Sequence, residues 1–177
     1  MPNQTIGRPK PFTLSNGKIM FKNFTGEVRP NNRNGAHQFT IDLTEEQAAI
    51  LDENNWKVAR WEDNEGELHY LLNCEIGVTG KYPPEIFKVV DRGRRRPDIL
   101  PVRPEDLYTL DRIRIDYVDA ILTPYCDITT PPAPDGRYLY RPYVNKMNVY
   151  VAEDPLDVLY NQRFGYEGDD EEPPFET

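Results

Sequence analysis

The sequence predicts a mainly β fold, a small closed or partly closed barrel carrying one good helix. Three observations point there. Seventeen prolines are spread over 177 residues, which argues against a helical bundle, because proline lacks the amide donor a helix interior needs, and for strands joined by stiff loops. Apolar residues alternate with polar ones over short runs, the period of a half-buried strand. Only one segment carries the start signals of a helix. A barrel accommodates six or seven short strands best because it removes exposed edges; an open sandwich fits the same pattern.

The elements follow in order. Residues 1–16 read as an extended arm, with Pro2, Pro9 and Pro11 barring regular structure. "KIMFKNFT" (18–25) is a first strand and "GEVRPNNRNG" (26–35) a turn-rich loop. In "HQFTIDL" (37–43), Phe39, Ile41 and Leu43 share one face. "TEEQAAILDEN" (44–54) is the helix: Thr44 and Gln47 have capping-box spacing, and Glu45 and Glu46 suit the positive helix end. "WKVARW" and "ELHYLLNCEIGV" flank "EDNEG", a hairpin signal, with Tyr70, Leu72, Cys74, Ile76 and Val78 on one face. "EIFKVVD" (85–91) is a short strand and "PEDLYTL" (104–110) a brief helical turn. Residues 112–125 and 137–152 are long strands joined by a Pro-rich loop, and "DPLDVLYNQRF" (154–164) is a terminal helix. The domain plan is therefore an arm at 1–16, a folded domain at 17–164 and a disordered acidic tail at 165–177.

The net charge of −9 is unevenly distributed. Six acids lie in 165–177 with no Lys or Arg, so the body carries only −3 of it, and the window 81–96 is locally +4, with six basic residues against Glu85 and Asp91. Partners sense such patches more than the total, since screening acts over roughly 10 Å. The two cysteines, Cys74 and Cys126, read as small buried hydrophobes in strands of a reducing compartment. No apolar run approaches the ~18 residues of a membrane span, and the N-terminus has no signal-peptide core.

The chain shows no catalytic signature. His37 and His69 lack partners at metal-ligand spacing. There is no phosphate-binding Gly-rich loop ending in Gly-Lys-Ser/Thr and no nucleophile elbow. Asp116 and Asp119, the best acidic pair for a metal, fall on opposite faces of a strand. The expectation is a non-enzyme with no cofactor and no metal.

Binding signals are stronger. "RGRRRP" (92–97) offers Arg92, Arg94, Arg95 and Arg96, with Lys88 extending the charge; guanidinium forks match phosphate oxygens. In "RYLYRPY" (137–143), Tyr138, Tyr140 and Tyr143 alternate with Arg137 and Arg141. Aromatic faces that stack on bases, beside cations that meet phosphates, are how single-stranded nucleic acid is held without sequence preference. Lys22, Arg29 and Arg33 with Phe21 and Phe24 form a third cluster, and Trp61 beside Arg60 is a fourth platform. The bland reading of each cluster is core packing or a solvated basic loop. Three such clusters in a small β chain favour a single-strand-binding surface, with Lys22, Phe24, Arg29, Arg33, Trp61, Lys88, the four arginines of 92–96, Tyr138, Tyr140, Arg141 and Tyr143 as contacts.

The run "KIMFKNFTG", the loop "NRNG", then "YLLNCEIG", "PPEIFKVVDRGRRRP", "DRIRIDYVDAILTPY" and "MNVYV" resemble single-stranded-DNA-binding proteins of tailed bacteriophages over most of 17–152. The resemblance implies an oligonucleotide-binding (OB) fold and a role protecting single strands in DNA replication or recombination, in the cytoplasm of the infected bacterial host. "DDEEPPF" (169–175) is similar to the acidic, Phe-tipped ends of such proteins, which implies that Asp169, Asp170, Glu171, Glu172 and Phe175 recruit partner proteins; here Glu176 and Thr177 follow the aromatic. Self-association is compatible with such a domain. The alternatives are a structural or adaptor protein of a virion and, further off, a metal-dependent nuclease.

Overall fold

The computed structural model describes residues 7–152, apart from 82, 92, 94 and 127–130. Eight strands occur among them: β1 (Phe12–Asn23), β2 (His37–Leu43), β3 (Ala59–Glu62), β4 (Leu68–Ile76), β5 (Glu85–Val90), β6 (Asp98–Pro101), β7 (Ile115–Tyr125) and β8 (Arg141–Val151). The sheet order is β3-β4-β2-β1-β7-β8-β5-β6, and a parallel pairing of Glu75 with Tyr143 joins β4 to β8. Strands β1, β2, β4, β8 and β7 therefore close into a five-stranded ring, with an antiparallel β1–β7 seam and a parallel β4–β8 seam. That is the topology of an OB barrel, and β3 and the β5–β6 pair extend beyond the ring.

The core follows the alternation. Phe39 and Ile41 of β2, Leu72 and Cys74 of β4, Val118 and Leu122 of β7, and Met147 and Val149 of β8 point inward and are buried. The helix α1 (Glu45–Glu53) starts as its capping box requires: Thr44 Oγ1 accepts from the Gln47 amide and Gln47 Oε1 from the Thr44 amide. It buries Ala48 and Leu51. A 3-10 helix (Pro104–Asp111) buries Leu107 and Leu110 against the barrel. Neither cysteine forms a disulfide: Cys74 is buried in β4, where burial pushes its thiol pKa up, while Cys126 lies just past β7 and is half-buried.

Three expectations change. The arm is shorter than 1–16, because Phe12, Thr13 and Leu14 pair with Leu122, Ile121 and Ala120. Proline removes only its own donor, so a strand starts directly after Pro11. Asn16 takes a left-handed φ of 53° at the irregularity in β1, and its amide donates to Asp119 Oδ1. The segment "DILP" forms β6, too short and too proline-marked to show alternation. Strand β8 begins at Arg141 rather than 137, so Tyr138 and Tyr140 precede it and do not share a face. The expected helix at 154–164 and the tail lie outside the described residues.

The loop between β1 and β2 is stiffened by two asparagines acting as backbone. Asn23 accepts from the Glu27 amide and donates to the Glu27 carbonyl. Asn32, 6% exposed, donates to the Glu27 and Ala36 carbonyls and accepts from the Ala36 amide. Replacing Asn32 by Ala takes the partner from the half-buried Ala36 amide and carbonyl, while the Glu27 carbonyl keeps only Asn23, and each unsatisfied group costs about 1–3 kcal/mol. Urea unfolding of Asn32→Ala is expected to show a loss of at least ~1 kcal/mol, with the m-value unchanged.

Candidate nucleic-acid interface

The outer face of the barrel is read from its register. Residues directly opposite in a ladder share a face, so Gln38, Glu75, Tyr143 and Thr123 form one row across β2, β4, β8 and β7. Phe21, Thr40 and Asn73 form a second row across β1, β2 and β4. The rows are tied together where Asn73 Nδ2 donates to Gln38 Oε1 at 3.1 Å. This polar band has an aromatic platform on each side.

One platform is Phe21, Trp61 and His69. The Trp61 ring lies 5.3 Å from both neighbours, edge-on to Phe21 and tilted on His69, and Trp61 is 38% exposed. His69 Nε2 donates to Asp63 Oδ2 at 2.8 Å and Nδ1 faces Asp42 Oδ1 at 3.4 Å. Asp63, Glu67 and His69 bring ligand atoms within 4.8 Å of one another. Both ring nitrogens face carboxylates, and Asp63 Oδ1 also takes the Glu65 and Glu67 amides. A proton on the imidazole satisfies this arrangement.

The other platform is Tyr125 and Tyr143, with centroids 5.1 Å apart, and the Arg141 guanidinium over the Tyr125 ring at 5.8 Å. Arg141 Nη1 donates to Glu75 Oε1 at 2.9 Å. Burial, then the hydrogen bond to Glu75, pushes the Tyr143 hydroxyl pKa up to about 12, so it remains a neutral donor. Beside this platform opens a cleft of about 530 Å³ lined by Asn34 from the β1–β2 loop, Lys57, and Cys126, Tyr138 and Arg141 around the β7–β8 loop. Arg137 holds that loop in place. It donates to Asp135 Oδ2 at 2.6 Å and to the Asp52 carbonyl near the end of α1 at 2.7 Å.

The residues singled out in the sequence divide accordingly. Tyr138, Arg141, Tyr143 and Trp61 sit on this face or its cleft. Arg29 is exposed on the β1–β2 loop and ion-pairs with Glu27 at 2.9 Å; Arg33 is exposed on the same loop. Three residues are corrected. Phe24 is fully buried and stacks on Phe39 at 5.3 Å, because the strand's irregularity after Ile19 turns it inward. Tyr140 is 1% exposed, held between Asn55 and Lys57 by two backbone hydrogen bonds. Lys22 pairs with the inward Phe39 and spends its ammonium on the Leu110 and Ile113 carbonyls at 3.2 and 2.6 Å, where a cation suits a helix end. None of these three offers itself to a ligand. Lys88 is half-buried on β5. Arg95 and Arg96 are exposed between β5 and β6, at the far end of β7 and β8 from the cleft. Arg92, Arg94, Asp169, Asp170, Glu171, Glu172 and Phe175 lie outside the described residues.

Sequence reasoning missed Tyr125, Lys57 and the support His69 gives Trp61. Tyr125 had a usable signal, an aromatic at the end of an alternating strand. The others depend on cross-strand neighbours.

A closed five-stranded barrel with an aromatic and cationic outer face and two converging loops defines a nucleic-acid-binding protein of the OB class. The family model described as a putative phage ssDNA-binding domain matches residues 2–169, and the chain belongs to that family. It is a binding protein for single-stranded DNA, not an enzyme. No curated protein matches the chain. Among solved structures, the single-stranded DNA-binding protein from bacteriophage Enc34 is similar at 12% identity and a TM-score of 0.46, over 82% of this chain and 83% of that one. The same phage protein in complex with ssDNA gives 12% and 0.45, over 82% and 88%. No helix among the described residues is long and apolar enough to cross a membrane.

The His69 cluster makes stability pH-dependent. The hydrogen bond to Asp63 raises the His69 pKa above its ordinary 6.5, and the bond from His69 lowers that of Asp63 below 3.8. The His69 contribution is complete below about pH 6.5 and is lost as pH rises through the raised value. The Asp63 contribution is present above about pH 3.9 and is lost as pH falls through the lowered value. Denaturant midpoints of the native chain should therefore fall across the alkaline side of that window, and His69→Gln should flatten this limb.

Proposed function

We propose that a single DNA strand runs across the outer face of β2 and β4 and into the cleft between the β1–β2 and β7–β8 loops. The observation that carries this reading is the polar row Gln38–Glu75–Tyr143–Thr123 crossing the barrel's closure between two aromatic platforms. Phe21 and Trp61 stack bases on one side, and Tyr125, Tyr143 and Tyr138 on the other. Arg29, Arg33, Lys57 and Arg141 meet phosphates. Arg141 exchanges its Glu75 partner for a phosphate, a charge-assisted bond of the same kind. Stacking is indifferent to base identity, so sequence preference is small.

This binding serves the protection of single strands in phage DNA replication or recombination, in the cytoplasm of the infected host. Asp169, Asp170, Glu171, Glu172 and Phe175 recruit partner proteins, the acids meeting a basic rim and the ring a pocket. The acids also compete weakly with DNA for the Arg92–Arg96 region.

Titration with oligo-dT, followed by tryptophan fluorescence, tests the path. Trp56 is 2% exposed, so the quenched signal comes from Trp61. Affinity should fall steeply with salt. Tyr143→Ala or Trp61→Ala should each weaken binding about five- to hundredfold, the range of one lost stacking contact. A native chain that leaves oligo-dT unbound at low salt contradicts the reading. A chain ending at Phe164 should bind oligo-dT more tightly than the full chain at low salt, and equally at high salt. Equal affinity at low salt removes the competition while leaving partner recruitment standing.

A further inference from the structure

The basic segment between β5 and β6 is not accounted for by the path above. Tyr117 pairs with Tyr150 at one end of the β7–β8 ladder, and Tyr125 with Arg141 at the other. Eight residue steps along β7 separate them, roughly 26 Å at the rise of a strand. The parallel pairing of β5 with β8 puts the β5–β6 turn at the Tyr117–Tyr150 end. The two ends share a plan. At the loop end, Tyr125 and Tyr143 lie together, Glu75 stands directly opposite Tyr143, and Arg141 is adjacent. At the far end, the Tyr117 and Tyr150 rings stack at 4.3 Å and 20°, Asp119 follows two residues along β7 on the same face, and Arg95 shares their cleft.

We propose that this far cleft is a second nucleobase-binding site, taking a base further along the strand already held by the β2–β4 face. The proposal rests on that path. The cleft has about 300 Å³ and is walled by Val89, Pro97, Tyr117 and Tyr150, with Asp116 and Arg95 among its polar groups. This volume is at the lower end of what small organic ligands occupy. A base fits the chemistry better than a phosphate does: both rings are half-buried, one aromatic face suffices for stacking, and the Asp91 and Asp116 carboxylates repel phosphate while accepting from base N–H groups. The phosphate then lies at the rim, toward Arg95. Midway along the ladder Lys146, half-exposed and only 3.9 Å from its Glu85 partner, offers a cation beneath the connecting backbone.

The test uses the full chain with oligo-dT of two lengths, about 8 and about 25 nucleotides, the shorter within one OB site size. Tyr150→Leu keeps apolar bulk and removes the ring; Arg95→Gln removes an exposed charge without touching the core. Tyr150→Leu should lower affinity for the long oligomer about tenfold and leave the short one unchanged. Arg95→Gln should reduce the salt slope of the long oligomer alone by about one. Native affinity for the long oligomer in both variants, or equal losses at both lengths, overturns the proposal. Should Tyr150→Leu fail to fold, Arg95→Gln decides by the same criterion. Failure of the native chain to bind the short oligomer counts against the β2–β4 path instead.

Discussion

The structure depends on the closure of the barrel between β4 and β8. It rests on one parallel pairing, Glu75 with Tyr143, reinforced by the Arg141–Glu75 ion pair. Closure covers the stretches of β4 and β8 that β3 and β5 leave unpaired, with their donors and acceptors, and it completes the wall around Leu72, Val144 and Met147. It also makes the candidate face continuous. Without it, β4 and β8 would be joined only the long way round through β2, β1 and β7, and the row from Gln38 to Tyr143 would be broken. Glu75 is thus both a closing element and the acid that holds Arg141 and Tyr143 in place.

Around this ring the loops are fixed from outside it. Asn23 and Asn32 supply the β1–β2 loop with side-chain versions of backbone bonds, and the His37 Nδ1 donates to the Phe24 carbonyl at its base. Gly26 and Gly35 sit at φ of 76° and 65°, and a Cβ on Gly26 would lie 2.8 Å from the Gly35 carbonyl. Asp111 reaches across from the 3-10 helix to accept from the Phe24 and Thr25 amides. Arg137 ties the β7–β8 loop to α1. A cleft with preset walls loses less conformational entropy on binding than one built from free loops.

Much of this fold was legible in the sequence because its signals are local. The alternation of β2 and β4, the capping box of α1 and the hairpin at "EDNEG" each need only neighbouring residues, and each appears where expected. The candidate face is only half legible. Trp61, Tyr143 and Arg141 were identified by residue type, yet so were Phe24, Tyr140 and Lys22, which the core claims. What separates the two groups is a strand irregularity after Ile19 and the late start of β8 at Arg141. Both depend on cross-strand register, which no run of residues states. For the same reason Tyr117 and Tyr150, 33 positions apart in the chain, do not announce themselves as a stack.

The arrangement explains how an acidic chain holds a polyanion. Cations at the cleft and along the β7–β8 ladder are interleaved with aromatic rings, while six acids stand in 165–177. The claim that DNA crosses the barrel's closure is tested most directly by amide hydrogen exchange of the full chain with and without oligo-dT. The account predicts added protection in 38–40, 73–76 and 141–144 and in both loops. Protection confined to 91–98, or none in β4 and β8, would contradict it.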